Sequence, residues 1–417
     1  EAGPCGLLVQ QGAPVLQLIE QLGLTSDLIG AARPSQRRYI RIGGRLRSYP
    51  QGFGELAACS WLSRETRDRL LADPERGPRP IMGDPSVMEF AREHLGTQGA
   101  DLLVEPLVAG IYAGNPDRLS ARSALPRMFG GVEAGVPLSS LLVQASRPPG
   151  ATGRRMASLK GGMNVLVDAL RTNVGSALHL GTPVETLRRE ASGWGLALGG
   201  AAPRELSVDA VVLATPPPVS SSLVSTVRPE LSRLLGAIPG APVVVVSLGF
   251  ATDDIRRPMD GFGYLVPRCE DGPVLGVQWA SSMFPDMRSP SGHNLLQVFL
   301  GGSRASGICS LSDVELVTLA CRELRTVLGV RDAPIHARVF RHGWGLPQYE
   351  VGHTLRLEAM RDQVAELRGL ELAGNAFDGV GIPSCVESAY EAARGISEYL
   401  AGKGNAIRRA GRSRMPP

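Results

Sequence analysis

The stretch Leu372-Ala373-Gly374-Asn375-Ala376-Phe377-Asp378-Gly379-Val380-Gly381-Ile382-Pro383-Ser384-Cys385 decides the fold of this 417-residue chain. Leu370-Glu371-Leu372-Ala373 alternates like a β-strand and runs into Gly374, and Gly379 and Gly381 suit a backbone that passes close to something else. Ser384-Cys385-Val386-Glu387 has capping-box spacing, and Val386, Ala389, Tyr390, Ala393 and Ile396 continue a helix. A strand, a glycine loop and a helix N-terminus together place free N–H groups and positive partial charge at the loop, where an anion is stabilised. An ordinary strand-to-helix connection in an α/β domain has the same spacing, so the pattern alone leaves both readings open.

Upstream, short strands are expected at Ala177–Leu180, Pro183–Leu187, Trp194–Leu198 and Ala210–Ala214, and a second set at Val243–Phe250, Gly263–Pro267, Val274–Trp279 and Leu295–Leu300. Ser312-Asp313-Val314-Glu315 caps a helix that runs to Gly329. Gly161-Gly162 leads into another, with Met163, Leu166, Val167 and Leu170 as its apolar positions. From Leu56 to about Gly150 the pattern is helical, with Pro-rich joints at Asp73–Pro80 and Arg147–Gly150. Near the start, Pro14 opens a helix that Gly23 stops, and Tyr39–Ile42, Gly43-Gly44 and Arg45–Arg47 form a hairpin. After Lys403 the chain is basic and expected to be disordered.

Bulk properties narrow the class. The length suits two or three domains, and 51 glycines with 32 prolines argue for turns and loops rather than a helical bundle. A net charge of +4 suits an anionic small molecule or an acidic membrane surface and lacks the basic density of nucleic-acid binding. Cys5, Cys59, Cys269, Cys309, Cys321 and Cys385 form no CxxC pair and sit at no metal spacing, so no metal site is expected; scattered thiols suggest a cytoplasmic protein. No run reaches the roughly 18 apolar residues of a membrane span.

The 372–385 stretch resembles the C-terminal flavin motif of the oxygen-dependent protoporphyrinogen/coproporphyrinogen oxidases, within the flavin amine oxidase superfamily. Further matches follow in the family's order: Glu1-Ala2-Gly3-Pro4, Tyr112-Ala113-Gly114-Asn115-Pro116 with Leu119-Ser120, and Lys160-Gly161-Gly162-Met163. Gly261-Phe262-Gly263-Tyr264-Leu265-Val266-Pro267 with Ser281-Ser282-Met283-Phe284-Pro285, then Pro347-Gln348-Tyr349 with Gly352-His353, complete the set. The resemblance implies an α/β fold with a discontinuous, incomplete Rossmann-like FAD-binding domain (1–32, 157–222, 365–402). A mixed α+β substrate domain (33–54, 223–364), a helical subdomain (55–156) and a basic tail (403–417) complete it.

It implies FAD as cofactor, lined by Gly3, Pro4, Cys5 and Gly6, touched at its adenine end by Val184 and at the isoalloxazine by Val380, Gly381 and Ile382. For substrate, Arg38 matches an arginine that pairs with a porphyrinogen propionate, as a guanidinium fork suits a carboxylate. Phe262, Gly263, Leu265, Leu275 and Phe299 match apolar walls around the macrocycle, and Gly110 a backbone position near its pyrrole N–H groups. Each of these residues has an ordinary reading as core, loop or solvated side chain. The reaction implied is oxidation of a porphyrinogen to the porphyrin in three two-electron steps, with O2 as final acceptor, in tetrapyrrole and haem biosynthesis. The redox work belongs to the cofactor, and no catalytic side chain is named. Peripheral membrane contact and a homodimer are compatible with the resemblance.

One departure stands out. The family opens with a G-x-G-x-x-G turn that binds the pyrophosphate, and this chain contains none. The chain therefore reads as beginning inside the FAD domain, and the polypeptide alone is expected to bind FAD poorly; a purified yellow protein with stoichiometric flavin would contradict that. The rival readings are another amine oxidase or desaturase-like enzyme, and a non-catalytic remnant unable to hold FAD.

Overall fold

A computed structural model describes residues 2–32, 37–75, 81–146 and 154–412. Glu1, the expected joint at 147–150, most of the expected joint at 73–80 and the last five residues lie outside them.

The chain begins with β1 (Leu7–Gln10), α1 (Pro14–Gln21), β2 (Leu28–Gly30), β3 (Tyr39–Ile42) and β4 (Arg45–Ser48). A helical stretch follows: α2 (Phe53–Ala57), α3 (Arg64–Ala72), α4 (Val87–Gly99), α5 (Glu105–Tyr112), α6 (Ala121–Ala124), α7 (Pro126–Glu133) and α8 (Leu138–Ser146). Next come β5 (Arg154–Leu159), α9 (Asn164–Val174), β6 (Val184–Arg189), β7 (Trp194–Leu198), β8 (Arg204–Val208), β9 (Val211–Leu213), α10 (Pro217–Val224) and α11 (Pro229–Gly236). Then β10 (Gly240–Ala251), β11 (Gly263–Leu265), β12 (Val274–Trp279), α12 (Ala280–Met283), β13 (His293–Gly301), α13 (Asp313–Leu328) and β14 (His336–Pro347) alternate. The chain closes with α14 (His353–Ala365), β15 (Leu370–Leu372) and α15 (Ile382–Arg412).

Two compact units result. The first comprises residues 1–170 and 240–352, the second 171–239 and 353–417. The first is built on a seven-stranded sheet in the order β14-β10-β13-β12-β11-β3-β4, antiparallel except where β11 runs parallel to β3. The run Val243-Val244-Val245-Val246 in β10 is buried on both faces, which is why it is β-branched throughout rather than alternating. Val244, Val246, Leu248 and Phe250 point into a core with Trp279, Leu296, Val298 and the apolar side of α13. Ala241, Val243 and Val245 face the other way, against Ala109 and Ala113. Ser312 and Glu315 form the capping box expected at the start of α13.

A buried polar group ties the β3–β4 hairpin to this core. Arg41 pairs with Glu323, and its Nε lies 3.1 Å from Glu270, whose carboxylate also accepts from the Gly43 and Gly44 N–H groups. The Tyr264 hydroxyl donates to Glu323 at 3.0 Å. Burial pushes the Glu323 carboxyl above its ordinary range, with Arg41 opposing. A carboxyl raised on folding contributes stability fully below its unfolded pKa, and that contribution is lost as pH rises through the folded value. Glu323→Gln is therefore expected to flatten the loss of melting temperature between weakly acidic and neutral pH, measured by calorimetry against wild type.

In the second unit β15 runs parallel to β9, Leu370 opposite Val211 and Leu372 opposite Leu213, while β6, β7 and β8 form an antiparallel sheet. Several expectations are corrected here. Ala177–Leu180 is not a strand: a 3-10 turn covers Gly175–Ala177, and Leu178 and Leu180 are exposed and pair with no strand among the described residues. On α9, Leu166 is buried but Val167 and Leu170 are exposed, so only part of its apolar face finds a partner. α15 runs past Lys403 to Arg412, where a disordered tail was expected to begin, and Lys403 Nζ lies 2.5 Å from Asp209. β8 and β14 gave no sequence signal because their exposed, charged residues mask the alternation.

Candidate functional site

In the first unit, two groups of residues meet on the sheet. Following the register from strand to strand, Phe340 pairs with Val245, Val245 with Phe299, Phe299 with Gly276 and Gly276 with Leu265. These five form one row across β14, β10, β13, β12 and β11. Phe299, Phe340 and Leu346 are half-buried beside Leu275. Gly276 leaves a gap in the row, and a Cβ there would stand 2.8 Å from the Tyr264 carbonyl and 3.4 Å from Leu265 Cδ2. Above the row lies α5, whose Gly110 is exposed and so close that a Cβ would sit 2.7 Å from Leu265 Cδ2. The result is a flat apolar shelf with a close helix edge.

Gly110, Leu265, Leu275 and Phe299, four of the expected substrate residues, are thereby brought together. Phe262 and Gly263 lead into the same strand. Gly263 holds φ at +137°, and a Cβ on it would overlap the Val277 carbonyl oxygen. Arg38 stacks over Phe262, its guanidinium carbon 5.8 Å from the ring centre. It is half-buried, donates to the Ala145 carbonyl at 3.4 Å, and pairs with no carboxylate among the described residues. Burial draws its pKa below the ordinary arginine value, with Tyr49 opposing. A sheltered cation without a counter-ion costs free energy that a bound carboxylate offsets.

The N-terminal loop is built into the same unit. Cys5 is buried with Met283 and Phe284, and Phe262 packs on this group. Gln297 donates to the Gly3 carbonyl at 3.3 Å, and Ser158 Oγ to the Cys5 carbonyl at 2.7 Å. Gly6 lies against β5, where a Cβ would stand 2.6 Å from the Ala157 carbonyl oxygen. Cys5 and Gly6 are thus fixed by packing, whereas Pro4 is exposed and a side chain at Gly3 would meet nothing within 4 Å.

The second unit holds the other expected cofactor residues. β15 leads into a loop in which Gly374 and Gly379 take φ of +130° and +138°, values closed to ordinary residues. The Gly374 N–H donates to Ser388 Oγ at 3.1 Å, Arg361 pairs with Asp378 at 3.0 Å, and the Cys385 N–H donates to the Gly381 carbonyl at 3.0 Å. α15 therefore starts at Ile382, and the capping box expected at Ser384 is not its start; Ser384 Oγ instead closes on Gly379, 2.5 Å from where a Cβ would stand. Val380 and Ile382 flank Gly381, which is exposed and would place a Cβ near nothing but the Pro383 ring at 3.6 Å. Val184, on β6, is exposed on a strand edge.

The model of the flavin-containing amine oxidoreductase family matches residues 1–397. The chain belongs to that family. It is 34% identical to human protoporphyrinogen oxidase, over 94% of this chain and 85% of that protein. It is 27% identical to coproporphyrinogen III oxidase of Bacillus subtilis strain 168, over 96% and 87%. A solved structure from Exiguobacterium sp. 255-15, described as a candidate protoporphyrinogen oxidase, superposes with a TM-score of 0.79 at 26% identity, covering 96% of this chain and 88% of that one. UDP-galactopyranose mutase shares the fold, with a TM-score of 0.70 at 14% identity over 94% and 83%. The family membership makes this chain an FAD oxidoreductase of mixed α/β fold.

Sequence reasoning missed Gly276, Phe340 and Leu346 in the shelf, because strand register alone reveals them. It also missed Gln348, which donates to the Tyr112 carbonyl at 2.8 Å and fills the space beside Gly114. Its only signal was its place in the Pro347-Gln348-Tyr349 motif.

Proposed function

We propose that this protein oxidises a porphyrinogen to the porphyrin with FAD as cofactor and O2 as acceptor, in tetrapyrrole biosynthesis. The observation that carries the reading is the apolar row Phe340–Val245–Phe299–Gly276–Leu265 in the same unit as Arg38, which pairs with no carboxylate among the described residues. A porphyrinogen offers a broad apolar ring and ionised propionates, and ligand sites pair such apolar walls with few placed polar groups. In this reading Phe262, Gly263, Leu265, Leu275 and Phe299 contact the ring, Gly110 meets its pyrrole N–H groups through backbone, and Arg38 takes a propionate. The apolar faces exclude water, and Arg38 sets the orientation of the ring.

Within each unit the expected residues leave room for a cofactor: a Cβ at Gly3, in the first, or at Gly374, in the second, would meet nothing within 4 Å, and one at Gly381 only the Pro383 ring at 3.6 Å. Gly3–Gly6 and Val380–Ile382 would hold it through backbone groups, with Val184 toward the adenine. When bound, FAD supplies the two-electron acceptor. On this reading segments 1–32, 157–222 and 365–402 serve the cofactor, 33–54 and 223–364 the substrate, and 55–156 forms the helical subdomain. The reading extends to a cytoplasmic enzyme, able to pair as a homodimer, whose charge of +4 suits peripheral contact with an acidic lipid surface. No described helix is long and apolar enough to cross a membrane.

The test is an aerobic assay of the FAD-supplemented protein with protoporphyrinogen IX and coproporphyrinogen III, following porphyrin fluorescence. Enzyme-dependent fluorescence with at least one is expected; none with either, beyond the autoxidation rate, overturns the reading. In the same assay Gly110→Val, which crowds the Leu265 side chain on the shelf, is expected to raise KM about tenfold, the scale of a 1.4 kcal/mol loss. Its melting temperature should stay near that of wild type, since the crowded atom is the tip of a flexible side chain.

A further inference from the structure

Arg304 and Glu105 form an ion pair of 2.7 Å, with the side chains 9% and 2% exposed. Such a buried pair is weak evidence for stability, because desolvating both charges cancels much of their attraction. Its partners suggest another role. Arg304 Nη1 donates to the Val266 carbonyl at 2.7 Å and to the Val274 carbonyl at 3.2 Å. Those carbonyls belong to the neighbours in sequence of Leu265 and Leu275, two residues of the apolar shelf. Glu105 accepts the other arm of the guanidinium and also the Arg268 N–H at 3.0 Å. Glu105 opens α5, the helix that carries Gly110.

The turn that holds Arg304 grips the far end of α5 as well. The Ser303 N–H donates to the Ala113 carbonyl at 2.7 Å, and Gly302, with φ of +65°, leaves no room for a side chain against that same carbonyl. Ala113 itself sits in the left-handed region at φ 49°, which costs an alanine of order 1 kcal/mol and persists where surroundings over-determine it. One short turn, Gly302–Arg304, thus fixes α5 at both ends and the β11–β12 hairpin at both of its inner carbonyls.

We infer that the Arg304–Glu105 pair is a positioning device that sets how closely Gly110 lies against the Leu265–Leu275 wall, and so shapes the edge of the shelf that receives the tetrapyrrole. The inference rests on the porphyrinogen reading. The guanidinium's rigid fork suits the task, because it holds two carbonyls and a carboxylate in one plane, which a lysine ammonium does not. Neither side chain touches the ring.

The test titrates the full chain with protoporphyrin IX, followed by tryptophan fluorescence quenching, beside thermal melts. Arg304→Lys keeps the charge opposite Glu105 and loses the fork; its Kd is expected to rise roughly 5- to 30-fold, the range of a positioning loss. Removing one charge alone can unfold a core, so the Glu105→Leu/Arg304→Met double variant removes both; it is expected to melt within a few degrees of wild type and still bind weakly. A purely structural role would lower melting temperature and leave the Kd of the folded fraction unchanged. Wild-type affinity in both variants overturns this inference and leaves the shelf reading intact. Failure of the unaltered protein to bind protoporphyrin IX overturns the shelf reading, and the inference with it.

Discussion

Gly263→Ala lowers the melting temperature by roughly 6–15 °C, the shift expected from about 3–4 kcal/mol in a unit of this size. Two independent costs add at this position. Its φ of +137° lies where an L-residue is strained, and the new methyl would overlap the Val277 carbonyl oxygen, with Gln278 Cα at 3.0 Å. Both obstacles are backbone of β12, which is hydrogen-bonded on one side to β11 and on the other to β13, so neither can withdraw. Gly381→Ala is the matched control. With only the Pro383 ring at 3.6 Å in its way, it is expected to shift the melt by less than about 0.5 kcal/mol. Equal melting of the two variants would contradict the account of β11.

Arg38→Leu is expected to lower kcat/KM for a porphyrinogen on the order of 100-fold, as loss of a charge-assisted carboxylate contact would. Stability should hold or rise, because the substitution removes a half-buried cation that has no carboxylate partner among the described residues. Arg38→Lys should recover only part of the loss, since an ammonium restores the charge and not the bidentate fork. Steady-state kinetics with both porphyrinogens measure this; an unchanged kcat/KM for each would remove Arg38 from the site.

Much of this was legible in the sequence, for physical reasons that differ by element. Helix α13 announced itself because its capping box and apolar stripe are local, and β10 because a β-branched run of that length has few other uses. The hairpin at Gly43-Gly44 needed only its two positive-φ glycines. The motif 372–385 led to the right family, although its helix begins at Ile382 rather than at the Ser384 capping spacing. What stayed hidden is non-local. The pairing of Phe340, Phe299, Gly276 and Leu265 depends on register between strands far apart in sequence, and Glu105 meets Arg304 across 199 residues. No periodicity encodes such meetings. The expected strand at Ala177–Leu180 failed for the converse reason: its local composition suited β-structure, but no neighbour supplied the hydrogen bonds.

The central claim, an FAD enzyme acting on a reduced tetrapyrrole, is tested most directly by anaerobic mixing. Protein supplemented with FAD is combined with protoporphyrinogen IX or coproporphyrinogen III while flavin absorbance and porphyrin fluorescence are recorded together. The account predicts that flavin colour bleaches as porphyrin fluorescence grows, and that air restores the colour. A flavin that stays oxidised with both porphyrinogens would contradict it.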